Sequence, residues 1–147
     1  MLKGGKGKDF LSGGEDNDKL WGLDGSDTLV GGIGNDILDG GAGKDLYLYL
    51  ANALDTDDLI GGTTDLIKVS NGDKIVFTAE VWDDFELSNG ALSKTIDTHH
   101  SLAFNNRQIQ IDVNGDGVFT AELDMSIDLV GVNTVTADTA GHFLILG

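Results

Sequence analysis

GGKGKDFLS (residues 4–12), GGEDNDKLW (13–21), GLDGSDTLV (22–30), GGIGNDILD (31–39) and GGAGKDLYL (40–48) are five consecutive copies of one nine-residue unit. Aspartate fills the sixth slot of every copy, at Asp9, Asp18, Asp27, Asp36 and Asp45. A fixed short period marks stacked, near-identical structural units, so it decides the architecture ahead of any single-residue argument. The eighth slot holds Leu11, Leu20, Leu29, Leu38 and Tyr47, one large apolar side chain per unit. Each unit therefore reads as a six-residue turn feeding a three-residue strand, and the array as a coil of very short parallel strands.

Glycine fills the first slot of all five copies and the fourth slot of four, Asp16 being the exception. Only glycine takes positive φ freely, so both slots are assigned to tight turns whose carbonyls face inward. Parallel stacking brings aspartates of successive coils together, and like charges repel strongly in a partly dry setting. Calcium suits that gap, because it accepts about 6–8 oxygens at roughly 2.3–2.6 Å and takes backbone carbonyls alongside carboxylates. Magnesium demands a tighter octahedron and sheds water reluctantly. Zinc lacks its usual ligands, since the chain has no cysteine and its three histidines lie far from the repeats. An acidic, glycine-rich linker would share this composition, but a linker does not hold apolar residues in phase with aspartates.

These units resemble the GGxGxDxUx nonapeptide of the RTX (repeats-in-toxin, hemolysin-type) proteins, a calcium-binding repeat. The resemblance implies an all-β fold: a right-handed parallel β-roll followed by a mixed or antiparallel β capping region. It further implies two nonapeptides per turn, with each ion shared by units 18 residues apart. The earlier unit would give its second and fourth carbonyls and its aspartate. The later would give its first and third carbonyls and its aspartate. Carried over, Gly5, Gly7 and Asp9 would meet Gly22, Asp24 and Asp27, while Gly14, Asp16 and Asp18 would meet Gly31, Ile33 and Asp36. Leu23, Gly25 and Asp27 would meet Gly40, Ala42 and Asp45, for three ions or more. Leu23 and Asp16 stand where the family pattern has glycine, so their turns must tolerate a Cβ. Gly32, Gly34 and Asp36, and likewise Gly41, Gly43 and Asp45, form half-sites facing the C-terminal side, with Asp55, Asp57 and Asp58 as candidates to complete one.

The chain of 147 residues carries 25 acidic and 9 basic side chains, a formal net charge of −16. Such a chain repels phosphate backbones and anionic lipid, which argues against nucleic-acid and membrane-surface binding and for multivalent cations. No apolar run reaches the roughly 18 residues of a membrane-spanning helix. The opening MLKGGKGKDF has no apolar core of a cleavable signal. The resemblance implies instead a secreted, extracellular bacterial protein exported by type I secretion machinery, which reads an uncleaved C-terminal segment. Repeats beginning almost at the first residue set the expectation of a piece of a longer architecture.

Residues 1–48 are accordingly assigned to the repeat roll and 49–147 to a capping and type I secretion region, together one compact domain. Leu46 to Leu50 is apolar on both faces and reads as the last coil entering a buried strand. Asp73 to Phe77 resembles the DKI-apolar strand that follows such arrays, and the region resembles a serralysin-like cap. Trp82, Phe85 and Leu87 are expected to plug the end of the roll, since an uncapped stack leaves an open sheet edge. Asp112, Asn114, Asp116 and Gly117 match half of an EF-hand loop, but Leu123 stands at its twelfth position. Apolar residues alternate from Phe119 to Leu129, so the segment reads as a β-hairpin turning through Asn114–Gly117.

Nothing in the chain has the spacing of a catalytic motif. His99, His100 and His142 lack motif-spaced carboxylates or nucleophiles, and the glycines lead strands rather than a phosphate-binding helix. The expected function is a non-catalytic calcium-binding module that folds on meeting extracellular calcium and supports secretion. Two alternatives are a carbohydrate- or surface-binding module, for which Trp21 and Tyr49 are the candidate solvent-facing aromatics, and the tail of a secreted protease or lipase.

Overall fold

A computed structural model describes residues 1–50, 63–70, 72–78, 88–89, 93–97, 100–105, 107–112, 118–122, 125–131, 135–137 and 143–146. The described secondary structure is all strand, so the all-β fold class holds. Six strands cover the array: β1 (Leu2–Lys6), β2 (Phe10–Glu15), β3 (Lys19–Asp24), β4 (Thr28–Ile33), β5 (Ile37–Ala42) and β6 (Leu46–Leu50). Each pairs in parallel with the strand two along, one nonapeptide pair later: Leu20 lies beside Leu2 and Leu38, and Leu29 beside Leu11. Alternate strands thus build two facing parallel sheets, the architecture of a β-roll.

The strands are longer than the repeat alone implies. Ladder pairing runs from the seventh slot through the third slot of the next unit, as in Gly14 beside Gly32 and Leu23 beside Gly41. The six-residue turn of the sequence reading is therefore three residues, Gly7–Asp9 in the first unit. Backbone ladder bonds need no side chain, so the glycine pair continues the strand.

Strands β7 (Thr64–Lys68) and β8 (Lys74–Thr78) extend both sheets beyond the nonapeptides. Ile67 stands beside Leu38 and Ile75 beside Tyr47, each in the inward register. The inward side chains of successive strands then build a single core between the sheets, with Leu20, Leu29, Tyr47, Ile67 and Ile75 at 0% exposure. Each such aliphatic side chain contributes roughly 1.5–3 kcal/mol on burial.

Beyond the roll lie β9 (Ser88–Asn89), β10 (Ser93–Asp97), β11 (His100–Asn105), β12 (Gln108–Asp112), β13 (Met125–Val130), β14 (Val135–Ala137) and β15 (Phe143–Leu146). One sheet runs β1-β3-β5-β7-β13-β12-β11-β10, with β9 on β11; the other runs β14-β15-β8-β6-β4-β2. A parallel partner, β13, covers what would be the open edge of β7, and an antiparallel one, β15, covers that of β8. The antiparallel pairing expected of the hairpin is present, with Ile109 opposite Ile127 and Ile111 opposite Met125. Its second strand starts at Met125, however, and Phe119 to Glu122 lie outside any strand. Alternation alone did not distinguish the arm from its connection. Asn114–Gly117, Trp82, Phe85 and Leu87 fall outside the described residues.

Candidate metal centre

The aspartates form a ladder. The Asp9 amide donates to Asp27 Oδ1 at 2.9 Å, the Asp18 amide to Asp36 Oδ1 at 2.8 Å, and the Asp27 amide to Asp45 Oδ1 at 2.9 Å. Each carboxylate thus spends one oxygen on the coil before it. The other oxygen of Asp27 and Asp45, and Oδ2 of Asp9 in the first coil, is buried and has no hydrogen-bond partner. An ionised oxygen stripped of water and donors is costly unless a cation meets it. Among the described residues no three acidic, histidine or cysteine side chains converge as a ligand cluster, so most donors to such a cation must be main-chain carbonyls.

Those carbonyls are in place. A Cβ added to Gly4 would lie 2.6 Å from Asp9 Oδ2 and 2.7 Å from the Gly22 carbonyl oxygen. The same cradle recurs at Gly13, between Asp18 Oδ2 and the Gly31 oxygen, and at Gly22, between Asp27 Oδ2 and the Gly40 oxygen. First-slot glycine is therefore required by space rather than by backbone angle, a correction to the reading from the repeat. Positive φ belongs to the second and fourth slots, as at Gly14 (101°) and Gly7 (110°).

Second- and fourth-slot carbonyls of one coil face the next. Cβ atoms added at Gly25 and Gly43 would strike the Gly7 and Gly25 oxygens, and at Gly32, Gly34 and Gly41 those of Gly14, Asp16 and Leu23. Third-slot carbonyls of Asp24 and Ala42 accept from the Gly7 and Gly25 amides at 2.8 Å, which leaves each a second lone pair. Asp16 (φ 72°) and Leu23 (φ 84°) keep the glycine conformation despite their Cβ, at a cost of roughly 1–2 kcal/mol each. Oxygens from successive coils thus converge between the turns, and the donor set, carboxylate plus carbonyl, suits a hard cation such as calcium.

The ladder has two further rungs that the nonapeptide did not reveal. The Asp36 amide donates to Asp65 Oδ1 at 2.8 Å, and the Asp45 amide to Asp73 Oδ1 at 2.9 Å. Both residues are 0% exposed. Their signal in the sequence is the Asp-x-apolar triplet, Asp65-Leu66-Ile67 and Asp73-Lys74-Ile75, the last half of a unit without its glycine turn. Asp55, Asp57 and Asp58, the candidates for completing one of these half-sites, lie outside the described residues.

Burial raises the Asp45 and Asp73 carboxyls above the ordinary aspartate range, and the charge of Asp73 adds to the effect on Asp45. A raised folded pKa means that protonation favours the folded state: the contribution is full below the unfolded pKa near 3.8 and is lost as pH rises through the folded values. In calcium-free buffer the β-signal of the array is therefore expected to rise as pH is lowered from neutral toward 3.8. A signal that falls over this interval would contradict the burial of these carboxyls.

On the outer sheet face, Trp21 is half-buried with the Lys3 ammonium 5.5 Å from its ring centroid. A shallow depression of about 260 Å³ beside it is lined by Leu23, Asp24, Asp39, Gly41 and Lys68. Tyr49, the other candidate surface aromatic, is only 2% exposed and points into the core, because the strand phase that buries Tyr47 buries it too. His99 and His142 lie outside the described residues, and no described helix is long and apolar enough to cross a membrane.

The family model for the RTX calcium-binding nonapeptide repeat matches four copies, over residues 1–29 and 21–48. No curated protein matches the chain in sequence. A solved structure with a related arrangement is the solution structure of the AlgE6R3 subunit from the Azotobacter vinelandii mannuronan C5-epimerase, at 20% identity and a TM-score of 0.32, covering 87% of this chain and 73% of that one. The β-roll rests on strand pairing.

Proposed function

We propose, for a chain whose residues 1–48 belong to the RTX calcium-binding nonapeptide repeats, that it is a conditional-folding module of a secreted bacterial protein. RTX repeats bind calcium and are typical of secreted bacterial proteins, and the repeat is not itself catalytic. The observation that carries the reading is the set of buried carboxylate oxygens without a donor, at Asp9, Asp27 and Asp45. Calcium would be held in three sets: Gly5, Gly7 and Asp9 with Gly22, Asp24 and Asp27; Gly14, Asp16 and Asp18 with Gly31, Ile33 and Asp36; and Leu23, Gly25 and Asp27 with Gly40, Ala42 and Asp45. The ion supplies the positive charge that lets stacked carboxylates share a dry interface.

Where calcium is scarce, repulsion within a chain of net charge −16 keeps the array open and exportable. Where calcium is millimolar, the array closes against its cap. With affinities near the extracellular-module range of about 10⁻⁴–10⁻³ M, each ion contributes roughly 1–3 kcal/mol at ten to a hundred times its Kd. Shared aspartates make the sites cooperative, which turns a repeat array into a switch. Export through type I machinery follows from this behaviour, with the roll and its cap acting as one domain.

Far-UV circular dichroism of metal-stripped protein, titrated with calcium and separately with magnesium, tests the reading. A cooperative gain of β-signal with calcium alone is expected. A spectrum already folded and unchanged by calcium would overturn it.

A further inference from the structure

We infer that a calcium ion also binds where the array meets its cap, between the last nonapeptide and β8, with Asp73 as a ligand from outside the repeats. This inference rests on the calcium reading of the array.

The half-site of Gly41, Gly43 and Asp45 faces away from the other units, toward the C-terminal side. Asp73 stands opposite it in the geometry of every earlier rung, Oδ1 accepting the Asp45 amide at 2.9 Å, compared with 2.9 Å at the Asp27 to Asp45 rung. Strand register agrees, since Leu46 and Tyr47 lie beside Lys74 and Ile75 as Thr28 and Leu29 lie beside Leu46 and Tyr47. Asp73 therefore takes the place of a next-coil aspartate although 28 residues, not 18, separate it from Asp45.

A ligand is required there. Asp45 is 2% exposed, its Oδ1 is used by the Asp27 amide, and its Oδ2 has no partner. At the earlier rungs the equivalent Oδ2 shares its cradle with the first-slot carbonyl of the following coil, as Asp27 Oδ2 does with the Gly40 oxygen. Asp45 Oδ2 sits in the same position in front of Gly40, facing the coil of Asp73. Two buried carboxylates on consecutive rungs, one with an unmet oxygen, form a cation site by the same argument as the rungs before it. The Tyr47 hydroxyl frames it, accepting from the Gly40 amide at 3.0 Å and donating to the Lys68 carbonyl at 2.7 Å. The Ser70 hydroxyl donates to the Gly41 carbonyl at 3.0 Å, which leaves that oxygen a lone pair for the ion.

The ladder also stops there. Asp73 Oδ2, the oxygen that would reach a further coil, accepts the Ser70 amide at 2.8 Å, and Asp65 Oδ2 accepts the Tyr49 hydroxyl at 2.7 Å. Protein donors close the outward side of both last rungs, so the ion at Asp45 and Asp73 ties the calcium-dependent coils to the cap. Its position makes closure of the array and docking onto β8 one event.

The test uses amide resonances of the whole chain in a calcium titration against a magnesium background. The amides of Lys68, Ser70 and Lys74 are expected to move with calcium together with those of the array, and Asp73→Asn is expected to lower the number of bound calcium ions by one. Array amides that move while Lys68, Ser70 and Lys74 stay still would overturn the inference and leave the array reading standing. An Asp73→Asn protein that binds as many ions as the parent would do the same. If no amide in the array responds to calcium, the array reading itself fails, and this one with it. Should Asp73→Asn not fold, the resonances of the unmodified protein decide.

Discussion

Replacing Gly22 with alanine is expected to abolish calcium-induced folding at millimolar calcium. The added methyl would fall on Asp27 Oδ2 and the Gly40 oxygen, with Asp27 Cγ only 2.9 Å away. Neither can yield: Asp27 is 1% exposed and held by the Asp9 amide, and Gly40 is part of a paired strand. Overpacking a rigid site costs roughly 1–3 kcal/mol or more, and here the methyl also occupies the space between oxygens that an ion needs. The two losses add, because strain is paid with or without the ion while the ion's contribution disappears. Ser12→Ala, on an exposed position of β2, is the control and should titrate like the parent. A Gly22→Ala protein that folds at the parental calcium midpoint would show that the cradle is not where the cation sits.

Asp27→Asn should have effects of opposite sign with and without calcium. Asp27 belongs to two of the ligand sets, facing the Asp9 coil through Oδ1 and the Asp45 coil through Oδ2. In calcium the substitution removes a charged ligand from two sites at once, and a loss of about 2–6 kcal/mol is expected from two ion contributions. Without calcium the asparagine can still accept from the Asp9 amide but no longer repels Asp45, so the array should be no less folded than the parent's. Asp9→Asn touches one set and should lose about half as much in calcium. Urea unfolding of the three proteins in calcium, with the residual β-signal of each in chelator, measures this. Equal destabilisation in both conditions would mean that Asp27 acts only as a hydrogen-bond acceptor.

The repeat region was legible because its period carries three independent signals in one phase. Apolar side chains at Leu11, Leu20, Leu29 and Leu38 fixed the inward face, aspartates fixed the turn, and glycines fixed the tight places. The sequence did not reveal why first-slot glycine is needed, since lack of room and positive φ both select the same residue. The neighbours of first-slot glycines such as Gly4, Gly13 and Gly22 separate the two causes. Asp65 and Asp73 were missed for a related reason. Their coils kept the Asp-x-apolar half of the unit and lost the glycine half, and they sit 29 and 28 residues from their partners, so no period points to them. Beyond residue 78, strand pairing depends on contacts between distant segments, and alternation around Phe119 could not show where the second arm begins.

Hydrogen exchange at the amides of Asp9, Asp18 and Asp27 tests the central claim most directly, because each donates to a carboxylate of the next coil. With calcium these amides should exchange slowly; in chelator, or with magnesium alone, they should exchange at the rate of an unfolded chain. Equal protection with and without calcium would contradict the account, because stacked aspartates would then hold together without the ion.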